Sequence, residues 1–286
     1  KSKGKMATLQ IVDKVSAGWG NIGVDDIIFS NIAPNAKKRA APPKRAGKKT
    51  HSGRTDAQTP AAQLKGFQVP EGFVVELVAS EKDGVVNPID LTFDDAGRLW
   101  TNTGRMYPLD PDPGASWGQT LKYMDNPKLQ MANPNFRRVQ DMYEGKTRGD
   151  DQLLVIANAT SKTPDKPAVW ADGLAIPQSF LPYKNGCFVA HGSDLMFLED
   201  SDNDGKADAR TTVLSGFGYT DTHTMSHLLI RAPGGWVHYS HGALNKGDVL
   251  TVKTGDRDRV DFAKIGRFSL DGTQHDVIVS GLNNIW

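Results

Sequence analysis

The sequence predicts an all-β protein: a partial, truncated β-propeller of the six-bladed type, preceded by a β-sandwich remnant and a disordered linker. Three segments carry the same ending, Val169-Trp170-Ala171-Asp172-Gly173-Leu174, Val213-Leu214-Ser215-Gly216-Phe217 and Val277-Ile278-Val279-Ser280-Gly281-Leu282, with glycines 43 and 65 residues apart. A second unit pairs a glycine turn with a strand: Gly97-Arg98-Leu99-Trp100, Gly186-Cys187-Phe188-Val189 and Gly235-Trp236-Val237-His238, the last two 49 residues apart. From Phe67 onward, short apolar runs alternate with Gly, Asp and Pro turns. Four short strands per repeat of about 40–50 residues is the mark of a propeller blade. A β-sandwich does not require one ending three times.

Met6 to Asp13 alternates like a strand, Ile22 to Ser30 reads as a second, and Gly18-Trp19-Gly20-Asn21 turns between them. Two strands are marginal alone in water, so residues 1–33 are expected to be the last hairpin of a sandwich whose start is missing. Lys3-Gly4-Lys5, Ile11-Val12-Asp13 and Gly18 to Ile27 resemble the end of the β-sandwich attached to family 32-like glycoside hydrolases. That resemblance implies a carbohydrate-associated accessory domain without its catalytic part.

Residues 34–64 hold Pro34, Pro42, Pro43 and Pro60, many Ala and Lys, and almost no large apolar side chain. Such a composition buries too little surface to order itself, so this is a linker. Residues 65–286 are the N-terminal blades of the propeller. Within them, 105–166 is over-long and rich in Pro, Asn, Asp and Gly, either a loop insertion or a poorly recognisable blade.

Charge is nearly balanced, 34 Lys+Arg against 33 Asp+Glu, but not locally. Seven basic residues and no acidic ones lie between Lys37 and Lys49, leaving −6 for the rest. A mildly acidic body with one basic segment argues against a nucleic-acid surface. The single Cys187 excludes an internal disulfide framework and a C-x-x-C-H haem attachment within these residues. No run of eighteen apolar residues spans a membrane, and no G-x-S-x-G, P-loop or Rossmann glycine pattern occurs. The chain starts at Lys1 and stops at Trp286 in mid-pattern, as expected for a piece of something longer.

The sharpest motif is Glu199-Asp200-Ser201-Asp202-Asn203-Asp204-Gly205-Lys206-Ala207-Asp208. Ca²⁺ takes six to eight oxygen ligands, and carboxylates at alternate positions wrap one ion. Asp200, Asp202 and Asp204 would give side-chain oxygens, Lys206 its carbonyl, and Asp208 a direct or water-mediated ligand. Position twelve is Thr211 rather than the Glu of an EF-hand. Strands flank the loop, so the alternatives are a calcium loop across a β-hairpin and a solvated acidic turn.

Blade topology turns position into geometry. Loops after the fourth strand share a face with loops between the second and third strands. Arg105, His191, His223, His227, His241 and Asn284 are therefore expected at one end of the channel, with the acidic loop on the opposite face, where its ion would be structural. Histidine suits general acid/base work near neutral pH, and His223, Asp221 and His227 are the catalytic candidates. Each histidine serves equally well as a structural hydrogen-bonding group.

Pro70-Glu71-Gly72-Phe73-x-Val75-Glu76-Leu77-Val78-Ala79, Phe93-Asp94-Asp95-x-Gly97-Arg98-Leu99-Trp100, Asp202 to Asp208 and Gly216-Phe217-Gly218-x-x-Asp221-Thr222-His223 together resemble the membrane-bound dehydrogenase family of bacteria. Those are multidomain proteins whose six-bladed propeller is similar to pyrroloquinoline-quinone sugar dehydrogenases, often with a C-terminal c-type haem domain. The resemblance implies a periplasmic or cell-envelope location and a sugar or other hydroxylated substrate. It implies a histidine base, a quinone facing Arg105, His191, His241 and Asn284, and electrons passing to a haem domain of the same protein outside this chain. The family's doubled histidine after Asp-Thr is here His223-Thr224, and the G-x-R-N loop reads Gly281-Leu282-Asn283-Asn284, without the arginine. The rival expectation is a non-catalytic carbohydrate- or protein-binding propeller with a structural calcium loop.

Overall fold

A computed structural model of the chain describes residues 59–108, 114, 116–124 and 126–282. The chain divides into two units, Lys1–Ala57 and Gln58–Trp286, and the described residues belong to the second. The hairpin expected in residues 1–33, most of the 34–64 linker and Asn284 lie outside them. A short helix α1 (Pro60–Leu64), capped by Thr59 with proline at its first turn, occupies the end of the expected linker. Residues 67–78, expected to contain strand, form none.

The fold is all-β, with three antiparallel sheets among the described residues. The first runs β1 (Leu91–Phe93), β2 (Leu99–Asn102), β3 (Asp151–Ile156), β4 (Ala168–Leu174), each strand paired with the next. The second runs β5 (Pro177–Tyr183), β6 (Gly186–His191), β7 (Asp194–Glu199), β8 (Ala209–Ser215). The third is built from β9 (His227–Ala232), β10 (Trp236–His241), β13 (Lys264–Ser269) and β14 (His275–Ser280). The three like endings are the fourth strands of these meanders, and the three glycine turns open their second strands. Between β10 and β13 the chain inserts a hairpin, β11 (Lys246–Thr251) and β12 (Arg257–Asp261). Its β11 pairs with the end of β8 through Leu250↔Ser215 and Thr251↔Leu214, widening the second sheet to six strands. This insertion accounts for the longer spacing of the third ending.

Strand periodicity explains the core. Alternate residues of a strand face opposite sides, and every residue of β6 is buried. Cys187 and Val189 join Trp100, Leu153, Trp170 and Phe180 between the first and second sheets. Phe188 and Ala190 join Leu229, Val237, Tyr239 and Phe268 between the second and third. The strand β6 therefore has no face toward water, while β8 keeps Arg210 and Thr211 exposed.

The over-long interval 105–166 resolves into a helical insertion plus β3. Helices α2 (Trp117–Met124), α3 (Pro127–Ala132) and α4 (Pro134–Tyr143) lie between β2 and β3. The Asn133 side chain caps α4 by accepting from the N–H groups of Asn135 and Phe136, and Pro134 sits at its first position. Phe136, Val139, Met142 and Tyr143 are its buried face, and Val139, Met142 and Tyr143 pack on Ala175, Ile176 and Met225. The insertion thus caps the end of the sheets where the candidate site lies.

Candidate functional site

The segment from β8 to β9 crosses the end of the sheets, and Asn245 holds it there. Asn245 is fully buried. Its Oδ1 accepts from the Asp221 N–H (2.9 Å), and its Nδ2 donates to the Asp221 carbonyl (2.8 Å) and to Thr224 Oγ1 (3.0 Å). Gln178 Nε2 donates to the Thr222 carbonyl. Glycine at 242 permits the close approach, because a Cβ there would run into Thr224.

On this anchored segment Asp221 and His223 form a dyad. Asp221 Oδ1 accepts from the His223 backbone N–H (2.9 Å) and from its Nδ1–H (2.8 Å). A proton held on Nδ1 leaves the Nε2 lone pair as the base. The His223 side chain is 48% exposed and that of Asp221 14%, so the carboxylate is tucked under an imidazole that reaches solvent. Tyr107 meets the ring edge-on, with centroids 5.4 Å apart.

The other expected residues gather at the same end but sit below the surface. His227 is buried, its Nδ1–H donating to the Met225 carbonyl (2.7 Å). His241 is fully buried, its Nδ1–H donating to the Phe262 carbonyl (3.0 Å). His191 Nε2 accepts from the Ala175 N–H (2.8 Å), and its ring packs against Tyr143 of α4. Gly192 is required beside it, because its φ is +61° and a Cβ would fall inside the Tyr143 ring. Arg105 is exposed, and its backbone N–H donates to buried Asp151, which also accepts from Thr103 Oγ1 and the Ile176 N–H.

Five buried polar atoms here lack a partner among the described residues: Gln178 Oε1, His191 Nδ1, Thr222 Oγ1, Ser226 Oγ and His241 Nε2. An unpaired buried polar group costs about 1–3 kcal/mol, and ordered water or a hydroxylated ligand is what satisfies such groups. Two of the four residues expected to face a quinone, His191 and His241, offer it no surface. His191 and His241 are 3% and 0% exposed, and neither presents a surface to a flat ring system.

Burial pushes His191 down to about 3 and His241 down to about 4. Both rings are neutral in the fold and protonate freely once unfolded, so below about pH 6.5 the unfolded chain binds more protons. Stability present above that pH is lost as the pH falls toward these values, by up to about 1.4 kcal/mol per pH unit per histidine. His275 is also lowered, burial outweighing the pull of Asp258, and adds in the same sense. Burial pushes Asp151 and Asp194 up despite their hydrogen bonds. Their effect is opposite, stabilisation lost as the pH rises through the carboxylate range. The expected result is a melting temperature that drops steadily from pH 7 to 5, with a shallower drop in His191→Asn. A flat profile in the unsubstituted protein would show that these rings are not held neutral.

At the opposite end lies the acidic loop, joining β7 to β8. Carboxylate oxygens of Asp200, Asp202 and Asp204 lie within 4.8 Å of one another, the span of two Ca²⁺–oxygen bonds of about 2.4 Å. Asp200 and Asp202 also accept from the Asp204 N–H, and Asp200 from Gly205. Asp208 is not in the group: it accepts from the Ser201 N–H and Oγ, closing the loop at its base. Lys206 donates its N–H to Asp204 Oδ1 (2.9 Å).

Two features were not foreseen. Asn245 had no distinguishing signal, since asparagine in a turn is common. The α4 cap had one, Asn133-Pro134 followed by Phe136, Val139, Met142 and Tyr143 at helical spacing.

No curated protein matches the chain. Residues 59–286 match the family described as "Domain of unknown function (DUF7133)", which spans every described strand and helix together with the dyad, the acidic loop and the insertion, and the chain belongs to that family.

Proposed function

We propose that this chain is the propeller part of a sugar- or alcohol-oxidising protein and that His223 is its general base. One observation carries the reading: the Asp221–His223 dyad, in which a largely buried carboxylate orients a half-exposed imidazole through its Nδ1. His223 takes the proton of a substrate hydroxyl, and Asp221 stabilises the resulting imidazolium. The hydrogen on the same carbon would leave as hydride, giving the carbonyl product, to an acceptor supplied by the intact protein and held by residues other than His191 and His241. The resemblance supports a quinone and a haem domain of the intact protein in that role. The three four-stranded meanders support the blade reading.

The test is reduction of an electron-accepting dye by the intact protein with a panel of sugars and alcohols, with and without added pyrroloquinoline quinone and Ca²⁺. Reduction that depends on His223 is the expected result. If no substrate reduces the dye while sugars still bind, the oxidoreductase reading fails. A binding module without turnover then stands, a reading favoured by the burial of His191, His227 and His241.

We also propose that the acidic loop holds a structural Ca²⁺ through Asp200, Asp202 and Asp204, far from the dyad. At a hundredfold excess over Kd the ion is expected to raise the melting temperature by about 5–10 °C. Asp202→Ala and Asp204→Ala are expected to abolish that increment. A melting curve indifferent to Ca²⁺ would identify the loop as an acidic turn.

A further inference from the structure

Three turns from two sheets meet around a cleft of about 510 Å³ at the acidic-loop end: 94–98 before β2, 182–186 between β5 and β6, and 200–205 after β7. This is the size range of small-ligand sites. It is floored by the buried edge-to-face pair Trp100–Trp170, centroids 4.8 Å apart, and Tyr183 also lines it. Asp94 is committed to the floor itself, accepting from Trp100 Nε1 (2.8 Å), the Arg98 N–H (2.9 Å) and Arg98 Nε (2.6 Å). The polar groups of the lining without a hydrogen-bonding partner among the described residues include the Arg98 Nη groups, Lys184 Nζ, the Asp95 carboxylate and the Asn203 amide.

Lys184 is the informative residue. It is the first of the two residues turning β5 into β6, between the paired Tyr183 and Gly186, and its φ is +54°. Glycine is the usual residue for a single positive φ at that position, and a lysine there costs on the order of 1 kcal/mol. Its ammonium lies over the Tyr183 ring, 5.1 Å from the centroid. Asn203, in the third turn, is also left-handed at φ +60°.

We propose that this cleft binds a neutral saccharide, with Lys184, Arg98 and Asp95 as the hydroxyl-recognising groups and the partly exposed Tyr183 ring as the aromatic contact. Hydroxyls both donate and accept, so one vicinal pair satisfies an ammonium or guanidinium and a carboxylate together. With Asp200 taken up by the proposed Ca²⁺, the lining holds two carboxylates (Asp94, Asp95) against two cations (Arg98, Lys184), a balance that suits a neutral ligand. The site is independent of the dyad and deepens the carbohydrate-binding reading.

Calorimetric titration of the full chain with maltohexaose, cellohexaose, xylohexaose and an acidic galacturonate hexasaccharide tests it. At least one neutral sugar is expected to bind, with affinity reduced tenfold or more in Lys184→Gly and in Asp95→Ala. The glycine variant is expected to melt at or above the temperature of the unsubstituted protein, because the strain is relieved. Neutral-sugar binding untouched by either variant overturns this site and leaves carbohydrate binding elsewhere. Binding of the acidic sugar alone overturns the ligand class. No binding at all overturns both the site and the carbohydrate-binding reading.

Discussion

Replacing Asn245 with leucine is expected to lower the melting temperature by on the order of 10 °C and to release the segment that carries the dyad. The substitution keeps the branched heavy-atom skeleton, with bulkier methyl groups, but leaves the Asp221 N–H, the Asp221 carbonyl and Thr224 Oγ1 without the partners they have now. Each buried group so orphaned costs about 1–3 kcal/mol. In a domain of this size, 1 kcal/mol moves the midpoint by about 2–4 °C. Differential scanning calorimetry measures the stability, and the His223 ring resonances report whether the Asp221 contact survives. A change of less than about 2 °C, within the range typical of surface substitutions, would mean that the segment is held by Gln178 and β-pairing alone.

His223→Ala is expected to lower turnover of the intact protein by about 10²–10⁴-fold, the usual contribution of a positioned general base, with little change in melting temperature because the ring is half exposed. Asp221→Asn leaves the ring in place but replaces the acceptor that fixes its tautomer and stabilises its charged form. A loss comparable to that of His223→Ala is expected there. His227→Asn separates roles: a buried ring bonded to a backbone carbonyl registers in stability first. Turnover unchanged in His223→Ala, alongside a loss in His227→Asn, would move the base to the buried histidine.

The meanders were legible because a half-buried strand writes itself as alternation and its ends as glycine. Val213-Leu214-Ser215-Gly216 and Gly186-Cys187-Phe188-Val189 landed on the fourth and second strands of the second sheet. The loop 200–208 was placed between β7 and β8 for the same reason. The dyad was legible as two residues in one tight turn, where sequence neighbours are spatial neighbours. What stayed hidden was tertiary. The burial of His191 depends on Tyr143, which stands on a helix forty-eight residues earlier, and nothing in His191-Gly192 names that partner. The β11–β12 hairpin left only a stretched spacing, because it pairs with β8 of the second sheet rather than with β10 and β13, its neighbours in sequence.

The burial of β6 on both faces bears on how the chain matures on the ribosome. The first sheet is complete once Leu174 has emerged, yet the face bearing Trp100, Leu153 and Trp170 has no cover until β5 to β8 follow. At about 5–20 residues per second, those forty-odd residues take roughly 2–8 s, and the second sheet then waits in turn with Phe188 and Leu195 bare. Synthesis thus proceeds as a relay in which each layer matures only when its successor arrives. The nascent chain is most exposed to capture by chaperones or by its neighbours on the polysome in the pauses between layers.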